Sequence, residues 1–458
     1  MESKSRGRQI SYLTLVLLHV AIGVVVFLLP VLAKIFALLI LAIGFFIVVK
    51  TKNKNNEALY VAAYLTGVEV FLRMTEGNFI EQYAKFGIIG VLLLGILFTG
   101  VTKPATPYIV FLIFLIPGII LGVFTLNFDT DIRKAITFNI IGPLTLAFSA
   151  IYCYGRRISL KEMVNIIHSA SFPIICIVVY LFLYTPNIKE VVTNTESNFA
   201  TSGGYGPNQM STILGLGIFL FFTKLVLFSD SKKNKIIDVI LLIVIVFRGI
   251  VTFSRGGVIA GGVMILVLMT ILFLNTKTKA KMTILKFVFL MSFILVGIWT
   301  YSSIQTGGLI DKRYANQDAR GRVKASKLTG REKLIESEFK MFMDNPILGI
   351  GVGKNREYRQ ETTGIEAASH NEISRMLAEH GMFGIFDLLI LFFTPLFLAF
   401  NNRMNVFVIP FVIFWLLTIN HAAMRIAAPA FIYALSLLKV YTIEKPALHR
   451  EQAVGEGA

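Results

Sequence analysis

Runs of apolar residues alternate with short polar segments along almost the whole chain. Each run is about 20 residues long, enough for an α-helix to cross a hydrocarbon core of about 30 Å. The pattern therefore predicts an all-α fold, a polytopic integral membrane helical bundle of about 12–14 transmembrane helices. The predicted spans are 10–29, 31–49, 58–74, 83–100, 107–125, 136–154, 163–184, 209–228, 237–253, 257–274, 283–301, 374–400, 406–420 and 425–441.

The composition supports a single membrane domain over residues 1–458. Hydrophobic residues make up 55% of the chain and charged residues 16%, whereas soluble domains carry about 25% charged residues. No separate soluble domain is predicted. Residues 443–458 are expected to form a flexible cytoplasmic tail.

The distribution of charge predicts how the chain is oriented in the membrane. The net charge is +17, and Lys and Arg concentrate at the N-terminus and in every second short loop. Basic residues resist translocation, so these loops and both termini are predicted to face the cytoplasm. Because the loops account for most of the basic excess, membrane lipid is an expected partner and nucleic acid is not.

The longest polar segment, residues 302–372, is predicted to be one large loop on the outer face. Its Arg and Lys residues outnumber its Asp and Glu residues, against the usual tendency for outer loops. An anionic substrate at the outer leaflet would explain the excess of cations.

An amphipathic helix is predicted inside this loop, beginning at Arg331 and ending before Asn345-Pro346. Arg331 then lies in the first turn, where the helix dipole disfavours a cation, which again suggests an anionic partner. The alternative is a solvated arginine. The apolar side consists of Leu334, Ile335, Phe339, Phe342 and Met343, and the charged side of Lys333, Glu336, Glu338 and Lys340.

Two arginines near the outer end of a span are candidate site residues. Arg255 follows a span in the turn Ser254-Arg255-Gly256-Gly257, and Arg248 lies two helical turns earlier, predicting a shared face. Arginine at membrane depth is costly and often marks a site. The alternatives are an interfacial cation for Arg255 and a structural role for Arg248.

His370 is the candidate proton acceptor, because it lies where the large loop enters a span. Histidine has an ordinary pKa near neutrality and can take and return protons there. The alternative is a capping or packing residue at a helix start. Residues 349–353, which contain three glycines, are expected to form a flexible turn leading to His370. The isolated histidines in apolar runs are expected to be packed in the bundle: His19, His168 and His421.

Other polar motifs give weaker signals. Asn208 follows Gly206-Pro207 at the outer start of a span, where it could cap the helix or contact sugar or phosphate. Asp129 and Asp131 resemble a metal clamp but have no supporting His or Glu in sequence. No metal and no cofactor are therefore expected, and Cys153 and Cys176 are not expected to form a disulfide.

Taken in order, these motifs resemble those of the O-antigen ligase/polymerase superfamily of bacterial envelope proteins. His370-Asn371, nine further residues and then Gly381 and Gly384 are similar to its His-Asn…Gly-x-x-Gly signature. The turn at 252–257 is similar to its Ser-Arg-Gly turn. Arg331 with the following helix is similar to its periplasmic loop, and Gly206-Pro207-Asn208 to its Pro-Asn element.

The resemblance implies a metal-independent membrane glycosyltransferase with its active site on the periplasmic face of the bacterial inner membrane. The donor would be an undecaprenyl-diphosphate-linked glycan, and the acceptor lipid A–core, as in lipopolysaccharide biosynthesis. Alternatives are an O-antigen or exopolysaccharide polymerase, a protein O-oligosaccharyltransferase, or a transporter of lipid-linked glycans. On this reading His370, Arg331 and Arg255 are catalytic, and the substrate is contacted by Arg255, Arg331, Asn208, Asn371 and Arg248.

Overall fold

The computed structural model describes residues 11–229, 231–324, 331–364, 366–400, 405–422 and 424–441. A π-helical segment at 224–228 extends α9, and one 3₁₀ turn covers 200–202. The helices and strands are α1 (Tyr12–Leu28), α2 (Leu32–Thr51), α3 (Glu57–Met74), α4 (Tyr83–Thr99), α5 (Thr106–Thr125), α6 (Ile132–Cys153), β1 (Arg157–Ser159), α7 (Leu160–Tyr184), α8 (Ile188–Val191), α9 (Pro207–Thr223), α10 (Lys232–Ile250), α11 (Arg255–Asn275), α12 (Thr278–Gln305), α13 (Leu309–Tyr314), α14 (Arg331–Asp344), α15 (Asn355–Thr363), α16 (Glu372–His380), α17 (Met382–Phe400), α18 (Val408–Ala422), α19 (Ala428–Leu435) and β2 (Lys439–Tyr441).

The predicted all-α membrane bundle is confirmed. Within the described ranges, eight helices are long and apolar enough to cross a membrane, and three shorter apolar helices accompany them. The eight are α2, α5, α6, α7, α9 with its π-helical extension, α11, α12 and α17; the shorter ones are α1, α4 and α18.

The predicted span at 374–400 is not one helix. It divides into α16 and α17 at Gly381, whose φ is +59°. A side chain there would place its Cβ 2.6 Å from the carbonyl oxygen of Ile347. The break therefore lies where the large loop packs closely against the chain, and glycine allows both the close approach and the left-handed backbone.

The predicted span at 425–441 is also wrong as a continuous helix. It contains the short α19 and then β2, which pairs in parallel with β1, Arg157 lying opposite Lys439. Nearly every residue of this segment is buried. A segment enclosed by protein can satisfy its backbone through neighbours and does not need the long helix that lipid exposure requires.

Small residues let α9 and α11 pack with their backbones almost in contact. A Cβ added at Gly215 would lie 1.9 Å from the carbonyl oxygen of Gly257, and one at Gly261 would lie 2.3 Å from that of Gly215. Such small-residue contacts allow close helix packing in membranes. They fix the start of α11, and with it Arg255, against α9.

The predicted amphipathic helix is α14, with one difference on its charged side. Phe339 and Met343 are more than half exposed, as a membrane-surface helix requires. Glu338 is instead buried, and its carboxylate pairs with Arg359 of α15 at 2.7 Å and accepts a hydrogen bond from Ser374 of α16. The helix is thus attached to the loop and to α16, because its polar side supplies a buried acceptor.

The glycine-rich stretch at 349–353 is a packed connection, and the expected flexible turn is wrong. Gly349, Gly351 and Gly353 all have positive φ, at 72°, 93° and 87°. The backbone N–H of Val352 donates to the carbonyl of Gly118 on α5 at 2.9 Å. The backbone N–H of Gly351 donates to the backbone carbonyl of Glu379 on α16 at 3.2 Å. The stretch holds α16 against α5.

Candidate functional site

The turn between α10 and α11 separates the two arginines that the sequence placed on one face. α10 ends at Ile250, Phe253 has φ +58°, and Arg255 is the first residue of α11. The Thr252 hydroxyl donates to the Gly249 carbonyl at 2.7 Å and accepts from the Ser254 N–H at 3.2 Å. The predicted shared face is wrong, because these local hydrogen bonds replace helical ones and start a new helix.

Arg248 is buried at the end of α7. Both terminal nitrogens of its guanidinium lie 3.4 Å from the Thr185 carbonyl oxygen, and the group stacks over Phe182 at 4.5 Å. Thr185 is the C-cap of α7, where a cation is favoured by the helix dipole. Among the described contacts, none joins Arg248 to the other predicted site residues, so its expected role in substrate binding gains no support from its position.

A chain of hydrogen bonds connects Asn208, Ser254, His421 and Arg331. An Arg331 N–H donates to His421 Nδ1 at 3.3 Å, His421 Nε2 lies 3.3 Å from Ser254 Oγ, and Ser254 Oγ donates to Asn208 Oδ1 at 2.9 Å. These directions are mutually consistent for a neutral His421 with its proton on Nε2. The N-terminal ends of α9, α11 and α14 and the C-terminal end of α18 are therefore joined through polar groups.

Two expectations change as a result. His421 is more than a packed histidine, since both ring nitrogens have partners in the site. Asn208 does not cap α9, whose N-cap is Gly206, and its side chain instead accepts from Ser254. Nothing in the sequence singled out His421 beyond its position near the end of an apolar run.

The glycines of the Ser-Arg-Gly-Gly turn are required by this packing. A Cβ at Gly256 would lie 2.4 Å from Cγ of His421, and one at Gly257 would lie 2.1 Å from the carbonyl oxygen of Ser211. Any side chain at either position would displace the histidine ring or the helix behind it. The motif thus places Ser254 and Arg255 beside His421.

A third arginine, missed in the sequence, joins Arg255 and Arg331. Arg255 donates to the carbonyl of Arg313 at 3.3 Å, and Arg313 Nε donates to that of Phe253 at 2.9 Å. Burial and the charge of Arg255 lower the pKa of both Arg313 and Arg331. Within the described parts of the chain, none of the three forms an ion pair. This arginine cluster (Arg255, Arg313 and Arg331) holds like charges together and is suited to an anion.

His370 lies between two cavities. The small cavity, about 220 Å³, is lined by Arg331, Leu334, Ile335, Glu338, His370, Asn371 and Asn420. The large cavity, about 320 Å³, is lined by Arg73, Glu81, Gln82, Lys85, Phe138, Tyr205, Asn208, Gln209, Ala368, Ser369, His370 and Arg425. The His370 side chain is exposed toward this space. It is therefore the group that can contact molecules in both cavities.

The environment of His370 keeps the imidazole neutral. Burial lowers its pKa to about 4, and the charges of Arg331, Arg425 and Arg359 act in the same direction. A neutral imidazole can accept a proton, whereas the protonated ring cannot. At neutral pH the residue is therefore in the form that a general base requires.

Neighbouring residues fix the position of His370. Asn371 is the N-cap of α16, and its Oδ1 accepts from the N–H groups of Ile373 at 2.8 Å and Ser374 at 3.3 Å. Arg425 donates to the carbonyl of Ser369 at 2.9 Å. The histidine is thus held between a helix cap and an arginine, and the Oδ1 of Asn371 is engaged in the cap.

One residue of the Asp129-Thr130-Asp131 motif is engaged in a helix cap. Asp131 is the N-cap of α6 and accepts from the Lys134 N–H at 3.0 Å. No group of three or more His, Cys, Asp or Glu side chains able to hold a metal ion occurs among the described residues. The independence from metal stays a prediction.

A family model described as O-antigen ligase matches residues 239–389. No curated protein matches the chain. The matched region contains the arginine cluster, Asn371 and His370.

Proposed function

Because residues 239–389 match the family model described as O-antigen ligase, we propose that this protein transfers a glycan from an undecaprenyl-diphosphate carrier to lipid A–core at the periplasmic membrane face. The resemblance drawn from the motifs is confirmed, and the family is one of membrane glycosyltransferases. The observation that carries the proposal is that His370 borders two cavities, one of them formed with Arg331. A transferase needs a base between its donor and its acceptor.

The arginine cluster is the proposed site for the donor diphosphate. Guanidinium groups can donate two parallel hydrogen bonds to phosphate oxygens, which gives both charge and orientation. An apolar groove of about 390 Å³ runs between α9, α10, α11 and α12, and Val258, one turn after Arg255, lies in its wall. The polyprenyl chain would lie in this groove with its headgroup at the cluster.

His370 is the proposed general base. It accepts the proton of the acceptor hydroxyl while that oxygen attacks the anomeric carbon of the donor sugar. The bond from this carbon to the phosphate oxygen breaks, and its electron pair leaves with the diphosphate. Charge grows on the diphosphate as the bond breaks, so the arginine cluster binds the transition state more tightly than the ground state.

The bound donor would also improve the base. Arg331 is one of the cations that lower the pKa of His370. A diphosphate on Arg331 offsets this charge, favours the protonated imidazole and so raises its pKa toward neutrality. The base would become stronger only when the donor is in place.

The test is transfer by purified protein in lipid vesicles, with lipid-linked glycan as donor. His370→Ala and His370→Gln should each lose about 10²–10⁴ in rate, the usual contribution of a general base. His168→Gln is the matched control, because His168 lies near Tyr12 of α1 and outside both cavities. His380 is unsuitable, since its ring is buried against Gly118. Near wild-type transfer by a folded His370→Ala protein would reject the base role.

The glycan profile of a deletion strain tests the acceptor. Loss of all long chains from lipid A–core supports the ligase. A core carrying single repeat units identifies a polymerase, and unchanged lipopolysaccharide with lost protein glycans identifies a protein glycosyltransferase.

A further inference from the structure

The wall of the large cavity contains three cations from separate parts of the chain. Arg73 comes from α3, Lys85 from α4, and Arg425 from the segment between α18 and α19. With a volume of about 320 Å³, the cavity is at the small end of ligand sites, which run from roughly 300 to 1,000 Å³. A cavity of this size suits part of a sugar chain.

Two of these cations lack a carboxylate partner. Arg73 is paired with Glu69 at 2.9 Å. Lys85 is fully buried and donates to the Met424 carbonyl at 2.8 Å, and Arg425 donates to the Ser369 carbonyl. In the portion of the chain that the structure describes, neither Lys85 nor Arg425 forms an ion pair. Arg425, unlike Lys85, is only half-buried. Glu372 lies near enough to both cations to offset part of their charge, but neither makes a direct ion pair with it, so a bound anion would stabilise both groups further.

The remaining wall residues fit a sugar that carries such an anion. Tyr205, Gln209 and Asn208 also line the cavity, and their side chains carry hydroxyl and amide groups of the kind that bind sugar hydroxyls. The Arg425 guanidinium lies 3.9 Å from the centre of the Phe138 ring, which restricts its orientation. Glu81 also lines the cavity, but it is exposed, so the buried part of the wall stays cationic.

We propose that the large cavity binds an anionic group, a phosphate or a carboxylate, on the acceptor sugar close to the hydroxyl that receives the glycan. This inference rests on the proposed function. Arg425 contacts the residue that precedes His370, so an anion held by Arg425 lies next to the base. The donor diphosphate has its own cations in the arginine cluster, on the other side of His370. A charged acceptor would therefore be preferred over a neutral one.

Calorimetric titration of the full-length protein in nanodiscs at fixed ionic strength tests the inference. The probes are glucose 6-phosphate, glucuronate and glucose, and no donor is present. At least one anionic probe should bind about 10-fold or more tightly than glucose, as expected for hydrogen bonds to charged groups. The stronger of the two anionic probes identifies phosphate or carboxylate as the preferred group.

Variants locate the bound probe. Arg425→Gln and Lys85→Met should each reduce the preference for the anion by about 10-fold. Arg331→Gln should keep it, because Arg331 belongs to the donor side. Loss of anion binding in Arg331→Gln, with retention in Arg425→Gln, would move the site to the arginine cluster and overturn the inference. Should both cavity variants fail to fold, an Arg255→Gln/Arg331→Gln double variant still decides with the same three probes. It should keep the preference for the anion, and loss of that preference would move the site to the arginine cluster and overturn the inference.

Equal binding of the three sugars by the wild-type protein would also reject the inference. The result is separable from the proposed function, because the titration needs no transfer. If the protein transfers glycan but binds the anionic probes no more tightly than glucose, the anionic subsite is rejected and the proposed function stands. Anion binding at Arg425 in a protein that transfers no glycan would reject the proposed function and leave an anion site without an acceptor role.

Discussion

The pH dependence of transfer should change when one cation near His370 is removed. The ordinary histidine pKa of 6.5 is lowered to about 4, by burial first and then by Arg331, Arg425 and Arg359. Arg425→Gln removes one positive charge and therefore favours the protonated ring. The pKa of His370 rises, and the base is lost at a higher pH than in the wild-type protein.

The size of the effect is bounded by the structure. The pH dependence of kcat/KM reports the pKa values of groups in the free enzyme. In the wild-type protein, the fall of kcat/KM on the acid side of the profile (the acid limb) should therefore lie near pH 4. In Arg425→Gln it should move upward but remain below 6.5, because burial and two arginines still act on the ring. Each pH unit of movement corresponds to about 1.4 kcal/mol between the two protonation states.

The assay is initial transfer rate at low donor and acceptor concentration across the acid range. Lys340→Gln is the control, because Lys340 lies on the exposed side of α14. The acid limb of the pH profile of this variant should not move. Thermal stability measured at each pH separates titration from unfolding. An acid limb at the same pH in Arg425→Gln and wild type would refute the electrostatic account, and a limb that persists in His370→Gln would show that another group titrates.

Three further predictions concern other parts of the site. Arg255→Lys and Arg331→Lys keep the charge but lose the forked donor, so each should reduce the transfer rate about 10- to 100-fold, and full activity in both would show that charge alone suffices. Gly256→Ala should reduce both transfer and thermal stability, because its Cβ would lie 2.4 Å from Cγ of His421. The control is Gly297→Ala in α12, where an added Cβ has no atom within 4 Å and the change should be neutral or slightly stabilising, so equal behaviour of the two variants would contradict the packing. Activity should survive a chelator and Asp129→Asn should be nearly silent; inactivation reversed by a divalent ion would restore the metal clamp.

The sequence predicted the membrane helices well because lipid-facing segments must be long and apolar. The first eleven predicted spans correspond in position to α1 through α7 and α9 through α12. Two of them, α3 and α10, are not among the described helices that are apolar enough to cross a membrane. The last part of the chain does not follow this rule, since α19 and β2 are enclosed by protein. Burial inside a bundle depends on tertiary contacts, which an apolar run does not reveal.

The sequence predicted some residues of the site correctly and missed or misplaced others, and the reason is again tertiary contact. Arg255, Arg331 and His370 stand beside recognisable turns and helix starts, so their placement on one side followed from topology. His421 and Lys85 are single polar residues in apolar runs, and their partners lie far away in sequence. Arg248 was misplaced because the turn at Phe253 changes the direction of the chain, which helical periodicity alone cannot show.

The cations on the two sides of His370 come from different parts of the chain. The arginine cluster lies wholly within residues 239–389, the part that matches the O-antigen ligase family. The three cations of the large cavity, Arg73, Lys85 and Arg425, all lie outside it. A shared carrier diphosphate would demand the same groups in every member, whereas acceptors differ between ligases, polymerases and protein glycosyltransferases. We therefore expect specificity for the acceptor to reside in α3, α4 and the segment between α18 and α19.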